Sequence, residues 1–234
     1  MMTRDFRAVY EYTKFESLLP NFEGHRVRIV YDSSLVKDLL VLQHVIPHFV
    51  SKLKTYLVLY SEALYHKYLK RVFHLLKVKP DLEDALNDLN IIKIGIKDDV
   101  AYGNLACFIE QGELDREFES LLEYLRKIDE NSVLILYGSV EYFLTGIKDK
   151  AFKRLVDLFS VLPERITLFG FRHRLGLKSL EVLLLSELYD IVVEVWRDEN
   201  SLDDAFNFTV EYQCGEGTVY GRFKMRDGLL VSMG

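Results

Sequence analysis

The chain changes hydrophobic rhythm once, near Asn200. Before it, short continuous apolar runs alternate with stretches of helical period. Val27–Tyr31, Tyr56–Tyr60, Asn90–Ile96, Val133–Tyr137, Arg165–Phe171 and Ile191–Trp196 read as strands. Runs without a polar alternate are expected where helices cover both faces of a sheet. Between them, Leu35–Val50 (interrupted near Pro47), Ala63–Leu76, Asp81–Leu89, Glu113–Ile128, Lys148–Leu162 and Leu177–Leu188 read as helices. Glu113–Ile128 is the clearest, with Leu114, Phe118, Leu121, Leu122, Leu125 and Ile128 on one stripe. Upstream, Asp5–Leu19 reads as an amphipathic helix ended by Pro20 and Gly24.

After Asn200 the period becomes two. Phe208–Cys214, Thr218–Met225 and Leu229–Met233 alternate, and CGEG and RDG between them are hairpin signals. Strands alternating with helices predict a mainly parallel sheet flanked by helices. The last three runs predict an antiparallel β-meander that closes it. No linker or repeat divides the chain, so one α/β domain over 1–234 is expected, with a helical lead-in at 1–25 and the meander at 206–234. The meander offers a strand edge at Phe208–Met225 to which a peptide or a second copy could add, unless Arg222 and Lys224 blunt it.

Composition narrows the function classes. The chain has 234 residues, 49% of them hydrophobic and 13% aromatic, enough for a sizeable core. A formal net charge of -6 argues against nucleic acid as the main partner. Cys107 and Cys214 fit no metal or redox spacing, and no apolar run is long enough for a membrane span. A cytoplasmic protein without a membrane partner is expected. Charged residues are plentiful and Gln is scarce, a thermophile signature.

Candidate chemistry centres on Arg26–Gln43, RVRIVYDSSLVKDLLVLQ, a strand, a polar turn and a helix. Nucleotide-binding α/β proteins place a phosphate loop in such a unit. The order of elements resembles the RecA/KaiC-like branch of P-loop ATPases. FESLLPNFEGHRVRIVY resembles that family's lead into its first core strand. KTYLVLYSEA resembles the second strand, which ends in a catalytic Glu, here Glu62. SVLILYGSVEYF resembles the Walker B strand, and RITLFGF and LSELYDIVVEV the last core strands. The chain also resembles a small group of uncharacterised proteins from hyperthermophilic archaea with the same degenerate core.

The resemblance implies a RecA-like fold but not its chemistry. G-x-x-x-x-G-K-[ST] laid on the chain puts Tyr31 at the first Gly, Asp32, Ser33 and Ser34 in the loop, Val36 at the second Gly, Lys37 at Lys and Asp38 at Ser/Thr. Only the lysine survives. A phosphate loop needs glycine so that backbone N–H groups can curl round the phosphates. Tyr137-Gly138-Ser139 stands where the Walker B Asp should follow. Glu62 then has little to activate. Tyr31 and Tyr137 are expected to fill the vacated pocket.

Other candidates are weaker. His44 and His48 have metal-ligand spacing but no third ligand, and His66 and His74, two turns apart on one helix, offer none either, so no metal is expected. Arg172, His173 and Arg174 follow a core strand on the ligand side of such a sheet, where they offer an anion or partner contact. The expectation is a non-catalytic protein- or peptide-binding module without cofactor, with self-association left open. The alternative is a nucleotide-binding protein without efficient hydrolysis, using Lys37 and Glu62.

Overall fold

The computed structural model describes residues 13–139, 148–175, 187–201, 204–213 and 217–233. Seven strands form a parallel array among these residues: β1 (Arg26–Tyr31), β2 (Lys54–Leu59), β3 (Asn90–Gly95), β4 (Asn104–Glu110), β5 (Ser132–Ser139), β6 (Thr167–His173) and β7 (Ile191–Arg197). The antiparallel meander is β8 (Ala205–Tyr212), β9 (Thr218–Arg226) and β10 (Leu229–Met233). All ten belong to one sheet, in the order β10-β9-β8-β7-β1-β6-β5-β2-β3-β4. The RDG turn holds Asp227 at φ 50° and Gly228 at φ 77°, the left-handed pair that a two-residue hairpin demands.

One face of the sheet carries α1 (Ser34–Leu40), a π turn (Val41–Val45), α2 (Ile46–Val50), α3 (Glu62–Val78) and α4 (Glu83–Asn87). The other carries α5 (Leu114–Leu125) and α6 (Lys148–Val161). Pro47 does not interrupt its helix. It opens α2 directly after the π turn, whose wider ring is where the helix accommodates it.

Three features depart from the sequence reading. First, the helix expected over Asp5–Leu19 is absent from its described part, where Phe15–Ser17 and Leu19–Phe22 are 3-10 turns. Tertiary partners override the local pattern. Thr13 N–H donates to the Tyr220 carbonyl at 3.0 Å, and the Phe15 ring meets those of Phe208 and Phe223 at 5.5 Å each. Second, β4 is an edge strand that the sequence does not announce. Only Ile109 in it is buried, so it lacks the continuous apolar run of its neighbours. Third, β8 and β9 are interior strands, because β10 pairs outside β9. The strand edge expected at Phe208–Met225 is therefore closed. The helix expected over Leu177–Leu188 lies mostly outside the described residues.

The free edge of β10 is itself fastened. Leu230 N–H donates to Gln43 Oε1 at 2.8 Å, and the Leu230 carbonyl lies 2.9 Å from His44 Nε2, both from the π turn. His44 Nδ1 lies 2.9 Å from Glu16 Oε1. The hydrogen bond from His44 pulls the Glu16 carboxyl from its ordinary 4.5 down to about 2, against the opposing effect of burial. A depressed carboxyl adds stability above its unfolded pKa and loses it as pH falls through the folded one. The Glu16 contribution is thus complete above pH 4.5 and lost towards pH 2. Its side chain is 47% exposed, so solvent screening keeps the gain near 1 kcal/mol. Glu16→Gln should flatten the stability profile across that window in urea titrations. An unchanged profile would refute the assignment.

Candidate functional site

At the phosphate-loop position only Asp32 and Ser33 separate β1 from α1. Ser33 caps the helix, its Oγ accepting from Val36 N–H at 3.5 Å, so the hydroxyl serves the helix's own end. Val36 is buried in the main core. Tyr31 is buried and meets the His173 ring at 5.3 Å. Asp32 accepts from Arg197 N–H at 2.7 Å, tying the loop to the end of β7. Ser34 opens α1.

Lys37 and Asp38 turn inward. Lys37 is 2% exposed and Asp38 is fully buried. Lys37 Nζ lies 2.6 Å from Asp38 Oδ1 and 3.8 Å from the centre of the Tyr137 ring. The Tyr137 hydroxyl donates to the same carboxylate oxygen at 2.8 Å. On the other side, Arg71 Nε donates to Asp38 Oδ2 at 3.1 Å, with Lys67 Nζ 3.8 Å away. Asp38 is thus the hub of a buried network joining α1, α3 and β5. Burial draws the Lys37 ammonium below its usual pKa, and Asp38 opposes that. Burial first, and the Asp38 charge second, push the Tyr137 phenol well above its ordinary value, so it stays a donor.

Glu62 is held in a second cluster, at the first turn of α3. Its Oε2 accepts from Ile96 N–H at 2.8 Å, and its Oε1 lies 3.2 Å from Lys93 Nζ. Burial raises the Glu62 pKa, but the Ile96 amide and Lys93 outweigh it and the net shift is downward. A carboxylate so occupied is a poor general base. Lys93 itself is fully buried, 3.0 Å from the Asp99 carbonyl and 3.8 Å above the Tyr65 ring. Sequence reasoning missed Lys93. Its signal was a lone lysine inside the apolar run Ile91–Ile94, where a buried strand obliges a charge to find partners.

Arg172, His173 and Arg174 each meet different neighbours. Arg172 lies within electrostatic reach of Arg28, His173 stacks edge-on to Tyr31, and the Arg174 guanidinium lies 6.0 Å from the Trp196 ring. Successive strand residues point to opposite faces, which turns His173 away from Arg172, and Arg174 lies just past the end of β6. Arg174 instead joins Asp32, Trp196 and Asn207 around a cleft of about 340 Å³. Ser139 ends β5, with its backbone in register with Phe171. His44 and His48 serve different partners, His48 Nε2 lying 3.3 Å from Lys52 Nζ. Among the described residues no group of three or more His, Cys, Asp or Glu is placed to hold a metal ion. No described helix is long and apolar enough to cross a membrane.

No protein-family model matches the chain, and no curated protein matches it. Solved structures do. The KaiC-like protein PH0186 from the hyperthermophilic archaeon Pyrococcus horikoshii OT3 superposes with a TM-score of 0.63 at 13% identity, over 91% of each chain. The RadB recombinase gives 0.54 at 12% identity, over 91% of this chain and 92% of its own. A further solved ATPase domain gives 0.57 at 11% identity, over 91% of this chain and 86% of its own. At these identities the likeness is one of architecture, and the chain has a RecA-like α/β fold with a mostly parallel central sheet and antiparallel C-terminal strands.

Proposed function

We propose that this chain is a RecA-like binding module with a degenerate phosphate loop, one that acts on a protein or peptide partner and does not hydrolyse ATP. One observation carries the reading. Lys37, the lysine left at the phosphate-loop position, is buried in an ion pair with Asp38 beneath the Tyr137 ring. To reach a phosphate it would have to leave its partner and strand a buried carboxylate. Tyr137 stands where the Walker B acid would be, and its ring occupies the space beside Lys37. Glu62 is committed to Ile96 and Lys93. The phosphate-transfer parts are positioning and charge stabilisation by a lysine, a metal acid and a base, and all three are diverted.

Calorimetric titration with Mg-ATP and Mg-ADP is expected to show no saturable binding. Micromolar binding that Lys37→Ala abolishes and Glu62→Gln weakens would overturn the reading in favour of a non-hydrolysing nucleotide binder.

A further inference from the structure

The exposed side of α3 differs from the rest of this acidic chain. The helix carries Lys67, Lys70, Arg71 and Lys77, with His66 and His74, against a single acid, Glu62. Residues 96–102 run alongside it and are pinned there. The Tyr65 hydroxyl accepts from Ala101 N–H at 2.9 Å, the Phe73 ring meets Tyr102 edge-on at 5.6 Å, and Lys93 holds the Asp99 carbonyl. Two clefts lie along this line, of about 390 Å³ at the Glu62 end and about 590 Å³ at the Lys77 end, and they share His66 and Leu69. Apolar side chains stand open beside them: Ile96 is 71% exposed and Phe73 51%.

We propose that this groove is a docking site for an acidic, partly apolar peptide segment. The proposal rests on the binding-module reading above and names its partner class. Cations on the rim, Lys70, Lys77 and Lys97, supply complementarity to carboxylates. Ile96, Phe73 and Leu69 supply apolar area for alternate side chains to bury. A phosphate backbone would gain nothing from Ile96, Phe73 and Leu69, which an acidic peptide with apolar side chains can bury. The groove is pinned open by its own hydrogen bonds, so docking requires little ordering of the receptor. From Glu62 to Lys77 it runs about 22 Å along the helix, the reach of about seven extended residues.

The test uses the full chain and fluorescence anisotropy of a labelled peptide of about ten residues, built of Glu and Asp alternating with Leu and Phe. Three comparators are a peptide with Lys for the acids, one with Ser for Leu and Phe, and an oligothymidylate of similar length. The acidic apolar peptide is expected to bind at least about tenfold tighter than each comparator. Lys70→Glu with Lys77→Glu, and separately Ile96→Ser, should each weaken it by about tenfold or more, while exposed Arg126→Glu on the far face leaves it unchanged. Circular dichroism checks that each variant is folded. Equal or tighter oligothymidylate binding, insensitivity to the α3 charges, or no saturable peptide binding would overturn the proposal. So would self-association through this face that the peptide does not compete with. A protein that takes Mg-ATP yet docks the peptide refutes only the sealed-site reading. One that takes neither refutes only the groove.

Discussion

Replacing Asp38 by alanine is expected to destabilise the protein by about 3–5 kcal/mol, the cost of breaking a buried ion pair from one side. For a chain of this size that lowers the melting temperature by about 6–20 °C. Asp38 neutralises Lys37, draws in Arg71 and accepts from the Tyr137 hydroxyl. Its removal leaves Lys37 2% exposed, without its carboxylate and with only an aromatic face for company. Lys37→Met should cost clearly less. Methionine fills the channel against Tyr137, and Asp38 keeps Arg71 and the phenol. Tyr137→Phe should cost about 1 kcal/mol, that of one hydrogen bond. Urea unfolding of the three variants gives the order directly. If Lys37→Met proves worse than Asp38→Ala, the lysine and not the carboxylate is the hub.

The second large effect is expected at the meander. Phe208 is fully buried and its ring meets Phe15 at 5.5 Å and Phe223 at 4.8 Å, joining the last strands to the first described turn. Phe208→Ala should cost about 3–5 kcal/mol, since the surrounding rings belong to different elements and cannot close the cavity together. Deleting the chain from Ala205 onward strips β7 of its antiparallel partner and exposes Ile191, Val193 and Val195 with the aromatic cluster. The truncated protein should be insoluble. A soluble truncated chain with an unchanged melting curve would show the meander to be an appendage and the single-domain reading to be wrong.

Much of this architecture could be read from hydrophobic period alone, because strands such as β1, β2 and β5 are covered on both faces and so are uniformly apolar. The RDG turn was legible for a different reason, the left-handed backbone that its residues tolerate. What escaped was set by contacts far along the chain. The Phe15–Phe22 turns owe their shape to Tyr220, Phe208 and Ser232, and no local pattern encodes those. At the site, the absence of glycine and the presence of Lys37 were both visible in the letters. That Lys37 faces Asp38 was not, because adjacent helix residues ordinarily point apart and only burial of both turns them together. Lys93 hid for the converse reason: within a strand assigned by its apolar neighbours, one charge reads as noise until its partners Glu62 and Asp99 are seen.

The central position of β1 bears on how the protein is made. Its two neighbours are β6 and β7, whose residues leave the ribosome long after Arg26–Tyr31. The sheet therefore cannot close around its own middle until Arg197 has been synthesised, and β10 locks onto the π turn later still. High sequence separation of this kind makes folding slow. During synthesis an apolar strand waits unpaired beside a helix, Ser34–Leu40, whose Lys37 and Asp38 still lack Arg71 and Tyr137. Nascent chains stalled before β6 should bind chaperones or aggregate, and the same chains released after β10 should not.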